Sequence, residues 1–161
     1  MMDVQTINDV CIRSPDAMIV PFAWWHLKMM DLREADRSYF PRFEDYLEYV
    51  RRARPTYAYT GMYRGDMVMA FGLEPKWPGV AECWMMTARQ IESCATTFTR
   101  SSMRFFDHAA TTLGLRRCQI TVCPTNDHAM RWAAALRFER EGLMRGYAPT
   151  GADHWMMSRM F

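Results

Sequence analysis

The order of signals in residues 117–147, RCQITVCPTNDHAMRWAAALRFEREGLMRGY, constrains the fold more than any other part of the chain. Cys118, Ile120 and Val122 alternate as a strand that Pro124 ends. Ala129, Trp132, Ala133 and Leu136 then recur at i, i+3, i+4 and i+7, which predicts a short amphipathic helix from Asn126. Arg137-Phe138 closes it, and a second extended run follows. Strand, Asn, short helix, Phe and strand is an uncommon sequence of elements.

The same periodicities assign the rest of the chain. Residues 1–15 (with β-branched residues broken by turn formers) read as an N-terminal extension that adds at most a short edge strand, and residues 16–161 read as one domain. Residues 16–22, DAMIVPF, predict a short strand. Residues 22–36 predict a helix through Trp24, Leu27 and Met30. A second helix covers 41–53, with Phe43, Tyr46, Leu47 and Val50 on one face and a stop at Arg54-Pro55. Residues 56–63 and 67–74 predict a hairpin around Arg64-Gly65-Asp66. Residues 75–79 read as a loop, and the apolar run 80–87 as a strand in a central position. Residues 87–98 are a connection of mixed character. A long helix over 99–113 follows, stopped by Gly114. The last strands, 139–148 and 153–161, flank a turn at 149–152. The sum is a mixed α/β order, β-α-α-β-β-β-α-β-α-β-β.

Composition limits the classes of partner. The chain has 161 residues, half of them hydrophobic and 24% charged, as globular domains do. A net charge of +2, with basic residues scattered apart from Arg51-Arg52-Ala53-Arg54 and Arg116-Arg117, does not suggest nucleic acid. Cys11, Cys83, Cys94, Cys118 and Cys123 have no metal-binding spacing and read as buried thiols of a reducing compartment, so no metal is expected. No run approaches the ~18 apolar residues of a membrane span, and no apolar stretch after a basic start suggests a signal peptide. A soluble protein of the cytoplasm is the expectation. The 16 methionines read as adaptable core filler. Oligomeric state is not legible.

The ordered elements, and Asn126, Ala129, the helix to Leu136 and Arg137-Phe138 in particular, resemble the GNAT superfamily of acyl-CoA-dependent N-acetyltransferases over nearly the whole chain. Pro21-Phe22 with His26-Leu27, and Cys83-Trp84 with Thr87, are similar to small GNAT-like proteins of tailed bacteriophages, internal virion proteins included. The resemblance implies an acyl-CoA N-acyltransferase fold, with a mixed sheet of about six to seven strands flanked by about four helices. It implies acetyl-CoA as donor, an amine as acceptor and, for a phage protein, a place in the host cytoplasm or packaged in the virion. Its alternative is a non-catalytic virion or assembly protein that has lost the coenzyme site.

Two departures from the family pattern sit in the motifs themselves. GNAT enzymes hold the coenzyme pyrophosphate on a Q/R-x-x-G-x-G/A loop. The nearest match is Gln90-Ile91-Glu92-Ser93-Cys94-Ala95, without glycine and with a carboxylate where an anion should bind. Ala133 stands where many members carry the tyrosine that protonates the leaving thiolate, and Arg137 stands where glycine is usual.

Acyl transfer from a thioester to an amine needs a base, a fixed donor to the carbonyl oxygen and an acid for the thiolate. Glu82, in an otherwise apolar strand, and His26, in the first helix, are the candidate bases. Tyr147 is the candidate acid by its nearness in sequence. The resemblance places the donor at Met85 or Met86. It gives Trp84, Met85, Met86, Thr87, Gln90, Ser93, Ala95 and Asn126 as the coenzyme-binding set, with Asn126 also suited to cap its helix. His154 is assigned no role.

Overall fold

The computed structural model describes residues 2–53 and 55–161. Its centre is a seven-stranded sheet in the order β1-β2-β3-β4-β5-β7-β6. Strands β1 (Ala17–Pro21), β2 (Tyr57–Tyr63), β3 (Asp66–Trp77) and β4 (Val80–Thr87) are successive antiparallel neighbours. β5 (Arg117–Val122) joins β4 in parallel, and β7 (His154–Met160) and β6 (Glu139–Met144) complete the sheet antiparallel. The described helices are α1 (Val4–Cys11), α2 (Trp24–Met29), α3 (Glu34–Arg37), α4 (Phe43–Ala53), α5 (Ala95–Leu113) and α6 (Asp127–Ala135). They exceed the four expected because of α1 and the division of the predicted 22–36 helix. The parallel junction of β4 with β5 follows from the long α5 crossover between them, since parallel strands cannot be joined by a tight turn. This is a mixed α/β architecture of seven strands, within the six to seven expected. No helix among the described residues is long and apolar enough to cross a membrane.

The hairpin of β2 and β3 turns at Arg64 (φ 51°) and Gly65 (φ 91°), the paired positive φ values that a two-residue turn between twisted strands requires. The Arg64 guanidinium donates to Asp16 at 3.1 Å, which ties this turn to the start of β1.

Four local expectations are corrected. The N-terminal residues form α1, capped by Asp3, whose Oδ1 accepts the Thr6 N–H at 2.9 Å, and not an edge strand. Ile7 and Cys11 are fully buried, in the same core cluster as Phe105 and Ala109 of α5. The Asn8 amide accepts from Ile19 N–H at 2.8 Å and donates to Ile19 C=O at 2.7 Å. It thereby satisfies the outer edge of β1 in place of another strand.

The predicted 22–36 helix is broken. Met30 is extended, and Leu32 makes an isolated antiparallel bridge with Ala88. Backbone pairing with the end of β4 overrides helix propensity here. β3 continues through Pro75 to Trp77, although 75–79 reads as a loop. Proline is tolerated because β2 pairing ends at Leu73, so one edge of β3 is free at that point. Residues 89–94 form a 3-10 helix that runs directly into α5, which starts at Ala95 and not at Thr99. Of the predicted Arg54-Pro55 stop, Arg54 lies outside the described residues.

Candidate functional site

β4 and β5 pair only at Val80↔Arg117, Ala81↔Cys118 and Glu82↔Gln119. Beyond Glu82 the two strands splay, and among the described strands β4 pairs there with β3 alone. A cavity of about 280 Å³ opens at the splay, lined by β4, β5, α5, α6 and the residues around α3.

Strand alternation decides which backbone groups reach this opening. The Ala88 N–H donates to Val68 C=O at 2.9 Å, on the β3 side. Followed back along Met86↔Ala70 and Trp84↔Gly72, Met86 and Trp84 turn their backbone groups to β3 as well. Cys83, Met85 and Thr87 therefore face the gap. Of the two methionines suggested as carbonyl donor, only Met85 has its N–H on the gap side. The Met86 side chain is buried against Leu27 and Val50.

Thr87 is already engaged. Its N–H and hydroxyl donate to Asp36 Oδ2 at 3.3 and 2.7 Å, and its C=O accepts the Arg33 N–H at 2.9 Å. The Arg89 N–H donates to Asp31 C=O at 2.9 Å. Residues 31–36 thus cover the gap-side edge at the end of β4. Burial raises the Asp36 pKa, against the lowering effect of the two Thr87 hydrogen bonds.

The predicted residues divide between the cavity and its surroundings. Glu82, Trp84, Met85, Met86, Asn126 and Tyr147 all line the cavity. The Glu82 carboxylate lies 3.3 Å from Lys76 Nζ, which also meets Glu74 at 3.4 Å. Asn126 Oδ1 accepts the Ala129 N–H at 3.1 Å, so it caps α6 while it faces the opening. His26 is not among the lining residues. Its Nδ1 lies 2.7 Å from Thr60 Oγ1 and accepts the Ala23 N–H at 3.2 Å, which makes it the buried cap of α2.

Gln90, Ser93 and Ala95 lie in the 3-10 turn and first residue of α5, outside the lining. The Ser93 hydroxyl donates to Gln90 C=O at 2.8 Å, and Ile91 N–H to Ala88 C=O at 3.2 Å. Glu92 lies 3.8 Å from Arg33. Two donors of this segment are thus spent locally and a carboxylate lies close by, which disfavours an anion there. The gap does fit a thioester arm, because an inward N–H is flanked there by apolar walls from Phe105, Phe106, Ile120 and Trp132. Ala133, 1% exposed, also lines the cavity, and α6 carries no tyrosine.

Sequence reasoning missed His154 and Tyr39. His154 opens β7 at the mouth of the gap and is 4% exposed. Its Nδ1 is the one buried side-chain nitrogen or oxygen among the described residues without a hydrogen-bond partner. Burial lowers its pKa, so the ring is neutral at pH 7. The Tyr39 and Tyr147 rings lie 5.2 and 5.8 Å from it. Burial, then Tyr147 and Glu82, raise the Tyr39 pKa. Of these two, His154 left only a polar ring at the head of the run HWMM, and Tyr39, between two helical segments, left no trace.

No family model matches the chain, and no curated protein is significantly similar to it in sequence. Solved structures are similar in fold. A GNAT-family acetyltransferase from Bacillus anthracis superposes with a TM-score of 0.70 at 13% identity, covering 92% of this chain and 97% of its own. The ribosomal-protein-S5-alanine acetyltransferase from Vibrio fischeri gives 0.69 at 12% identity, covering 94% and 97%. RimJ from Mycobacterium smegmatis, solved in complex with CoA-disulfide, gives 0.62 at 18% identity, covering 89% and 81%. The chain therefore has the GNAT acyltransferase fold, and likeness at this level of identity carries the fold alone.

Proposed function

We propose that this protein is an acyl-CoA-dependent N-acetyltransferase that passes an acetyl group to an amine. The observation that carries the reading is the β4–β5 splay, with the Met85 N–H turned into a cavity of about 280 Å³. When bound there, acetyl-CoA supplies the activated acyl group. The Met85 N–H polarises the thioester carbonyl, which is worth most in a site that excludes water. The apolar walls from α5 and α6 exclude that water. The Tyr147 hydroxyl, at the cavity mouth, donates the proton that the departing sulfur takes. Asn126 orients the arm from the α6 cap.

Titration calorimetry with acetyl-CoA, paired with a colorimetric assay of thiol release, tests the reading. Binding with amine-dependent thiol release is expected; no binding at millimolar acetyl-CoA sinks it.

A second reading, a non-catalytic phage virion or assembly protein, is favoured by a separate observation. Arg33 and Asp36 occupy the Thr87 edge of β4, and a 3-10 turn fills the place of the phosphate loop. The phage origin common to both readings, with its host-cytoplasmic or packaged location, rests on the Pro21-Phe22/His26-Leu27 and Cys83-Trp84/Thr87 pairs. Co-purification with particles and no acetyl-CoA binding is the outcome that selects this reading.

A further inference from the structure

We propose that His154 is the proton acceptor for the amine, and that it forms with Tyr39 and Tyr147 the corner where a primary alkylammonium group binds. The inference rests on the acyltransferase reading above and adds the residue that neither Glu82 nor His26 supplies.

Three observations converge on His154. It is buried, yet its Nδ1 has no partner, and a buried polar atom left in that state is destabilising. Such an orphan in a cavity wall is explained when a ligand completes its hydrogen bonding. His154 is also shared between two spaces. It lines the β4–β5 cavity and a wider outer groove bounded by Arg33, Thr125, Asn126, Arg131 and Thr150. An amine entering by the groove meets His154 before it reaches the Met85 N–H. Finally, the Tyr39 and Tyr147 rings lie 5.2 and 5.8 Å from the imidazole, so an ammonium hydrogen-bonded to the imidazole sits beside two aromatic rings that attract a cation.

The other candidates are less suited. The Glu82 carboxylate is paired with Lys76, and the His26 Nδ1 is engaged by Thr60 and Ala23. The titratable and charged groups around the corner are Asp36 of α3 and Tyr39 beside it, Tyr147 and Asp153 in the β6–β7 connection, Cys123 after β5, and Glu82 and Cys83 on β4. Arg33, Asp127, His128 and Arg131 add theirs from the groove. Among the described residues no carboxylate lies within ion-pair distance of the ring to hold a proton on it. A neutral imidazole with a free nitrogen is the form that accepts one.

The proton balance closes. The bound ammonium passes one proton to His154, which releases it through the groove. The amine nitrogen then bonds to the thioester carbon as the carbon–sulfur bond breaks. His154, having released the first proton, accepts the second as the nitrogen loses its positive charge and passes it out through the groove, and the sulfur takes a proton from Tyr147, which is reprotonated from solvent. The products are an amide and a thiol.

Two measurements test this. In the wild-type chain with ¹⁵N-labelled histidine, n-butylammonium should shift the His154 Nδ1 resonance. Tetramethylammonium, which has no N–H, should not. No shift, or equal shifts, overturns the corner. His154→Gln should lower kcat for acetyl-CoA with n-butylamine about 100-fold or more. The KM for acetyl-CoA should stay within about threefold, and the acid limb of the pH–rate profile should be lost. Unchanged kcat in a folded variant overturns the proton-acceptor role while acyl transfer stands. An n-butylammonium shift without wild-type thiol release overturns acyl transfer, and the proton-acceptor role with it, and leaves only the amine corner.

Discussion

Asp36 gives the sharpest test of how the end of β4 is built. Its Oδ2 accepts both the Thr87 hydroxyl at 2.7 Å and the Thr87 N–H at 3.3 Å, and Thr87 is only 8% exposed. In Asp36→Ala both donors lose their partner. A buried donor left unsatisfied costs about 1–3 kcal/mol, and the hydroxyl can turn to recover part of that. A loss near 2 kcal/mol follows, or about 4–8 °C in Tm for a chain of this size. Asp36→Asn keeps an acceptor oxygen in place. It gives up the charge-assisted part of the bonds but also removes the cost of a half-buried charge, so it should fall within about 1 kcal/mol of wild type.

Urea melts at pH 7 give both numbers, and hydrogen exchange reads the site directly. The Arg33 amide, bonded to Thr87 C=O, should exchange faster in Asp36→Ala. Burial raises the Asp36 pKa, so the folded state holds that proton more tightly than the unfolded chain. Wild type should therefore gain on Asp36→Asn as pH falls through the Asp36 titration. If Asp36→Ala melts within about 0.5 kcal/mol of wild type, or Asp36→Asn loses as much as Asp36→Ala, the account of this edge is refuted.

Arg137 holds φ at 66°, a left-handed conformation that costs an L-residue about 1–2 kcal/mol. Arg137→Gly should stabilise by about 1 kcal/mol in urea melts, less the entropy that glycine adds to the unfolded chain; a loss would show that the arginine side chain holds the turn. Burial lowers the pKa of both His26 and His154 from 6.5, so the unfolded chain takes up their protons first on acidification. Stability should be flat in pH just above about 6.5 and decline below it, and a urea midpoint unchanged between pH 7.5 and 5.5 would contradict this. Glu141, held at about 2 by Arg117 and then Ser158, adds a further decline as pH falls from 4.5 towards 2, which Glu141→Gln should reduce.

The sequence by itself determined the order of elements from α4 onward. The 3.6-residue repeat through Ala129, Trp132, Ala133 and Leu136 and the alternation of Cys118, Ile120 and Val122 are local patterns, and both appear as α6 and β5. Glycine punctuation was equally legible, with Gly114 ending α5 in the left-handed conformation. Asn126 as a cap belongs to the same class, because its partner is three residues away. The departures at Ala133 and Arg137 could be read too, but only the structure showed one buried in the core and the other in a strained turn.

Tertiary structure decided everything that depends on a distant partner. Residues 31–33 read as helix and became a cover for β4 because Thr87 C=O and Arg89 N–H were available more than fifty residues away in sequence. Residues 1–15 carried no strand or helix signal strong enough to assign, and formed α1 because α5 offered a surface for Ile7 and Cys11. The choice of Met85 over Met86 required the β3 register, which fixes the parity of every N–H along β4. His154, Tyr39 and Tyr147 meet because β7 starts where the β5 pairing brings it against the α3 region, and sequence spacing has no means of expressing that closeness. Local periodicity encodes which face of an element is apolar. Which elements then share a gap, and which polar atom in it is left without a partner, is settled only when the sheet closes around them.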